Sequence, residues 1–257
     1  MFEDDGFRKA RLATLIAFLI NGFSVGNFVS RIPDFKSELE ISNGVLGAAL
    51  LCASLGVLSA LRPASRSAAK YGSGPLTKYA AFTLALAVPL VGLLFNLPWF
   101  FFSLFGYGVL SSIHDLSMNA HAAALEDKAG KRVMSTFHAM WSIGGLSGGA
   151  IGGLLATTNV SIRFHALFVA LLIFVIALIT RNWFLPASAD QHAFEKHEKR
   201  KTPSKFLILG LLGLCGALGE GAASDWGGVL AREGYNASVF MSTLPYVFFS
   251  FTMVVGR

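Results

Sequence analysis

The residues best equipped for chemistry lie in the apolar run Gly108–Glu126, which carries Asp115, Asn119 and Glu126. On a helix turning 100° per residue these three fall within about 40° of one another. His114 and His121 form a second stripe, about 100° away. A segment with two polar stripes cannot face lipid alone, so it must face protein or water. An aspartate at the centre of a bilayer costs about 2.5–3.5 kcal/mol unless a partner, a cavity or a proton compensates. Asp115 is therefore a candidate proton-coupling carboxylate, and Asn119 a candidate solute-binding amide. The competing reading is that Asp, Asn and His side chains simply bond neighbouring helices together, and for His114 and His121 it carries more weight.

Glu220 is the second signal of this kind. It shares a small-residue face with Gly213, Gly216, Ser224 and Gly227, and a carboxylate there could also carry a proton. Asp225, about 140° away on a regular helix, reads as an interfacial residue beside Trp226. Asn21 lies near the middle of the first apolar run, on one side with Ser24 and Arg31. Its amide can bind a solute or a neighbouring helix equally well. Arg31 reads as a snorkelling side chain. Further along, His138, Ser142, Gly145, Gly149 and Gly152 share one helical side. The glycines are close-packing positions, while His138, at a depth comparable to Asn119, could join a gate or a proton path. No nucleophile motif and no spacing such as H-E-x-x-H occurs, so no metal, cofactor or enzymatic activity is expected.

The elements that position these groups follow from composition. The 257 residues are 54% hydrophobic and only 14% charged, with mean hydropathy +0.59, against roughly 25% charge in soluble domains. Soluble enzymes, disulfide-stapled modules and disordered tails are excluded. Cys52 and Cys215 lie inside apolar runs and read as small core residues. A bilayer crossing needs about 20 apolar residues, and eight candidates lie at 12–30, 45–61, 77–95, 98–123, 137–156, 163–180, 206–225 and 238–256. The chain is thus expected to be an all-α membrane protein.

The net charge of +6 is a matter of placement. With the N-terminus cytoplasmic, 17 of the 21 Lys and Arg residues fall on the cytoplasmic side, and only Arg31, Lys36, Arg163 and Arg232 fall outside. That is the positive-inside pattern, so the basic excess reports topology and no nucleic-acid partner is expected. A charged stretch at 181–205 divides the helices into an N-terminal six-helix bundle, 1–180, and a second group, 206–257. At an offset of 194 positions Gly22 aligns with Gly216, Arg31 with Asp225 and Val45 with Val239, the parallel repeat of a two-bundle transporter. The sequence stops at Gly256-Arg257 as the eighth span ends, which implies a fragment with helices 7 and 8 as an incomplete C-terminal bundle.

Four groups of residues now carry a resemblance: Arg31-Ile32-Pro33 after the first span; Asp115-Leu116-Ser117-Met118-Asn119-Ala120 on the fourth; Met134, His138, Ser142 and Gly144 on the fifth; and Glu220-Gly221 with Asp225-Trp226 on the seventh. With them the chain resembles the first two thirds of a bacterial major facilitator superfamily transporter of the YbjJ type. The resemblance implies the major facilitator fold, with two six-helix bundles, a central cavity and alternating access in the inner membrane. It also implies a small polar solute, since the branch is similar to sugar-permease-like carriers.

The same resemblance places a gating motif between the second and third spans, and here that motif is degraded. Ala69 stands at the aspartate position, while Lys70 and Gly72 keep the basic residue and second glycine. The gate would then rest on Glu126, Arg132 and His138. No proline follows Gly144-Gly145, unlike the helix-five motif of drug–proton antiporters. The expectation is a secondary carrier in which Asn21 and Asn119 bind solute and Asp115 or Glu220 couples transport to protons. The alternative is a non-transporting membrane scaffold or an inactive truncated transporter.

Overall fold

The structure, a computed structural model, describes residues 5–158, 160–190 and 205–256. Among the described residues the chain is helical, with no strand. Its α-helices are α1 (Asp5–Ser30), α2 (Ile32–Glu38), α3 (Asn43–Tyr71), α4 (Ser73–Gly92), α5 (Leu97–Ala129), α6 (Met134–Thr157), α7 (Ile162–Thr180), α8 (Lys205–Gly221), α9 (Gly227–Gly234) and α10 (Leu244–Gly256). Several helix starts are written in the sequence. The side chains of Ser42, Asn96 and Ser161 accept hydrogen bonds from the backbone N–H groups of Val45, Trp99 and Phe164, as N-caps do. By length and composition, six stretches can cross a membrane: α1, α3, α4, α6, α7 and Phe206–Gly234. At 33 residues α5 is longer still, about 50 Å at 1.5 Å per residue, but its polar stripes lower its hydropathy.

The expected spans fall on helices, with three differences in detail. The loop expected between the second and third spans is a single residue, Gly72, because α3 runs on to Tyr71. A short helix, α2, started by Pro33 in its first turn, lies between the first two spans. The seventh span is interrupted by a π-helical turn, Ala222–Trp226, between α8 and α9. Cys52 is half-buried and Cys215 exposed; Cys215 is therefore no core residue, because it lies on a face of α8 that no described helix covers. The expected linker, 181–205, lies partly outside the described residues, but its first ten residues, including the 3-10 turn Ala187–Ala189, are described.

Backbone proximity dictates the packing. α1 lies along α6 and α3 along α5, while α4 sits between α5 and α7. A Cβ on Gly22 would lie 2.0 Å from the Trp141 carbonyl oxygen, and one on Gly144 would lie 2.1 Å from that of Leu19. The α3–α5 pair is built alike: a Cβ on Gly56 would sit 2.2 Å from the Phe105 oxygen, and one on Gly108 2.0 Å from that of Ala53. α6 uses a second row as well, since Gly149 and Gly153 meet Tyr246 and Thr243 beside α10. Both rows of α6 are therefore contact surfaces, not only the Gly145–Gly149–Gly152 side. Phe18, Leu84, Leu104, Met118 and Phe137 fill the interior, while α7 and α8 expose Phe164, Leu171, Leu207 and Leu212, the apolar surface expected toward lipid.

These contacts make opposite predictions for two glycines. Gly22→Ala should force α1 away from the α6 backbone and destabilise the protein by about 1–3 kcal/mol, the usual range for overpacking. Gly213→Ala on α8, where nothing among the described residues lies within 4 Å, should be neutral or slightly stabilising. Thermal unfolding in detergent separates the two.

Candidate functional site

α1 is the hub of the buried polar groups. Trp141 Nε1 donates to Asn21 Oδ1 at 2.9 Å, and Asn21 Nδ2 meets His114 Nδ1 at 3.0 Å. The indole can only donate, so the Asn21 oxygen must face it and the Asn21 amide donates to His114 Nδ1. His114 then carries its proton on Nε2, which is buried without a partner among the described residues. One turn on, Ser24 bonds the Tyr107 hydroxyl at 3.2 Å, and Asn27 Oδ1 accepts from His165 Nε2 at 2.7 Å. Asn21, expected as a solute ligand, is buried with both ends of its amide occupied by α5 and α6. Its visible effect is to orient Trp141.

Trp141 faces a cleft. Asp115, Met118, His138, Trp141 and Glu220 line a space of about 180 Å³ between α5, α6 and α8. An adjoining cavity of about 40 Å³ shares Trp141 and Glu220 and adds Ser142, Ser224, Tyr246 and Ser250. The structure thus brings together Asp115, Glu220 and His138, three of the residues selected from sequence, and among the described residues no Lys or Arg lines either space. Asn119 donates back to the Asp115 carbonyl at 2.9 Å and to its carboxylate at 3.4 Å. The π turn at Ala222–Trp226 departs from the regular helix on which the angle of about 140° between Glu220 and Asp225 rests. Glu220 lines the cleft, while Asp225 Oδ1 accepts from the Ser224 hydroxyl at 3.3 Å.

Trp141 and Tyr246 are the site residues that sequence reasoning passes over. Trp141 stands beside a glycine row that is easily read as packing alone, and nothing in the local pattern marks Tyr246.

The remaining gating candidates lie at the end of the bundle that holds the α3–α4 and α5–α6 turns, hereafter the basic end. Lys70 and Gly72 belong to the first turn, Glu126 and Arg132 to the second. Glu126 Oε2 accepts from the backbone N–H groups of Val133 and Met134 at 2.7 and 2.8 Å, so it caps the start of α6. His138 sets its ring edge-on to Phe18.

At the far end, charged side chains bridge α2 and α9. Asp34 on α2 accepts from Arg232 on α9 at 2.6 Å and pairs with Arg31 at 3.2 Å. Lys36 pairs with Glu233, whose second oxygen accepts from Asn43 at 3.4 Å. Arg31 also donates to the Val160 carbonyl at 2.7 Å, which makes it a structural bridge more than a snorkelling side chain.

Residues 14–257 match the sequence model of the Major Facilitator Superfamily. The chain belongs to that superfamily. It is similar to the uncharacterized transporter y4wD of Sinorhizobium fredii, at 29% identity over 93% of this chain and 64% of that protein. An uncharacterized MFS-type transporter of Yersinia pestis is 26% identical over 96% of this chain and 64% of its own. The membrane protein MosC of Rhizobium meliloti is 25% identical, over 95% and 60%. The chain thus spans less than two thirds of the length of these curated relatives. Its six stretches long and apolar enough to cross a membrane fit a multi-pass membrane protein, and the cleft lies between α5 and α6 on one side and α8 on the other.

Two predictions test this geometry. The backbone N–H groups of Met134 and Val133 hold the Glu126 carboxyl below the ordinary carboxylate range. A depressed folded value means that the cap stabilises the fold above that range and ceases to as pH falls through it. Glu126→Gln should therefore lower the unfolding temperature at neutral pH, and the difference from the unsubstituted protein should vanish as pH falls through the depressed range. At the far end, Arg232→Ala should speed amide exchange across residues 227–234 by loosening α9 from α2.

Proposed function

We propose that the protein is a secondary carrier of the YbjJ-like branch. It would move a small polar solute, sugar-like in the first instance, across a bacterial inner membrane by alternating access. The single observation that carries this reading is the cleft in which Asp115 from the first bundle and Glu220 from the second group share water-accessible space against Trp141, while ion pairs tie α2 to α9 at the opposite end. The positive-inside pattern makes the basic end cytoplasmic, so the arrangement is the inward-facing one. The relatives named as transporters support the same direction of argument.

In this mechanism Asp115 and Glu220 take up and release the coupling proton, and Asn119, held against Asp115, presents its remaining polar capacity to solute. Asn21 acts through Trp141. Rocking of the two groups would open the far end by parting Asp34 from Arg232 and Lys36 from Glu233, while closing the basic end around the Glu126–Arg132 turn, His138, Lys70 and Gly72. One charge moved through 100 mV supplies about 2.3 kcal/mol, roughly fifty-fold accumulation at 1.36 kcal/mol per decade. One proton is therefore sufficient coupling.

The test is uptake by membranes containing the intact protein, with a solute first found by thermal-shift screening of sugars and other small polar compounds. Accumulation should follow pH and membrane potential, and Asp115→Asn or Glu220→Gln should abolish accumulation above the external concentration. Uptake that ignores pH and potential, together with silent substitutions at both positions, would exclude coupling by these carboxylates.

A further inference from the structure

The segment that follows α7 is not idle. Residues 181–190 cross the α3–α4 turn and touch three consecutive residues of it. A Cβ on Gly72, whose φ is +81°, would meet Ala187 Cα at 2.7 Å, and one on Gly74 would meet the Leu185 oxygen at 2.1 Å. Between them, the Ser73 N–H donates to both carboxylate oxygens of Asp190, at 3.1 and 3.3 Å. The Ser73 hydroxyl bonds His121 Nδ1 at 3.0 Å, and His121 Nε2 accepts from the Leu185 N–H at 3.4 Å. A backbone N–H can only donate, so Nε2 is the acceptor, Nδ1 carries the proton, and His121 donates to Ser73. His121 is fully buried and its ring meets Phe184 edge-on at 5.5 Å.

α4 needs such a partner. It starts directly after Gly72, which has no side chain to cap it, and the turn Ala68-Ala69-Lys70-Tyr71-Gly72 contains no acid. Yet the first N–H groups of a helix carry partial positive charge and favour an anion. Asp190, 117 residues away in sequence from Ser73, supplies that anion.

We propose that residues 181–190 are a clamp that sets the α3–α4 turn, with Asp190 and His121 as positioning residues of the cytoplasmic gate. Asp190 supplies the anion that the α3–α4 turn itself lacks. The segment joining the two helix groups is thereby tied to the gate, so that a shift of one is transmitted to the other. The role as a gate rests on the carrier reading above.

Two readouts on the full chain in lipid nanodiscs test the clamp without measuring transport. The first is amide exchange over residues 73–77. The second is the labelling rate, by a water-soluble maleimide, of Asp115→Cys in a Cys52→Ala/Cys215→Ala background, which reports how open the cleft is. Asp190→Ala should raise exchange about fivefold, the scale of a lost helix cap, and shift the labelling rate at least threefold, roughly the effect of a modest population shift. Adding Ala69→Asp should restore both, and Asp190→Asn, which keeps the acceptor and loses the charge, should be intermediate and guards against misfolding of the alanine variant. Labelling that stays unchanged in both Asp190 variants, whatever exchange does, reduces Asp190 to a local cap and overturns the proposal. Since no solute is involved, failure of the carrier reading alone would leave the labelling shift intact.

Discussion

The approach of α1 to α6 is the contact on which the other features depend. Gly22 and Gly144 let the two backbones come so near that a single methyl group on either would collide with a carbonyl oxygen. In a bilayer there is no hydrophobic drive between helices, so close packing and interhelical hydrogen bonds must hold them. Glycine supplies the first, and its proximity makes the second possible: only with α6 this close can Trp141 Nε1 reach Asn21 at 2.9 Å. Trp141 is then aimed at the cleft by a bond made inside the bundle.

The polar groups of α1 are each claimed by a different neighbour: Asn21 by α5 and α6, Ser24 by Tyr107, Asn27 by His165, and Arg31 by Asp34 and the Val160 carbonyl. Polar groups buried in a membrane protein must be satisfied internally, and here one helix satisfies most of a bundle. What remains exposed to the cleft is therefore informative. Asp115 and Glu220 are not consumed by this network; they line the cleft, the placement on which the proposed proton coupling rests.

Asp115 and Glu220 stand out in the sequence because charge inside an apolar run has a high cost, and that cost requires no knowledge of the fold. The glycine rows of α6 are legible for a similar reason, since small residues at helical spacing have few other uses in lipid. Asn21 is different. Its residue type allows a solute or a helix as partner, and only the position of Trp141 decides between them. The π turn at Ala222–Trp226 has no reliable sequence mark, so the 140° expected between Glu220 and Asp225 assumed a regular helix. α2 escapes a search for long apolar runs because it has seven residues. The docking of Asp190 is invisible from the sequence because its partner, the Ser73 N–H, belongs to the backbone.

The two ends of the bundle are held by different physics. At the basic end, Glu126 bonds backbone N–H groups at the start of α6, a contact within the first bundle, and Asp190 of the segment after α7 bonds the backbone at the start of α4. At the far end, the bonds run from α2 to α9, between side chains that water can partly reach: Arg232 retains 22% of its exposure, Asp34 20% and Glu233 45%. Ion pairs in such settings contribute little, commonly about 0–1 kcal/mol each, because water replaces what separation removes. Two such pairs can be made and broken at modest cost, whereas parting α1 from α6 would expose Asn21, Trp141 and His114 together. Across the boundary to the helices beyond, close glycine packing of α6 on Tyr246 and Thr243 is joined by ion pairs that water can partly reach. A motion of one group against the other, as the carrier reading requires, would break those ion pairs before the contacts of α1 with α6, and the cleft lies on that boundary.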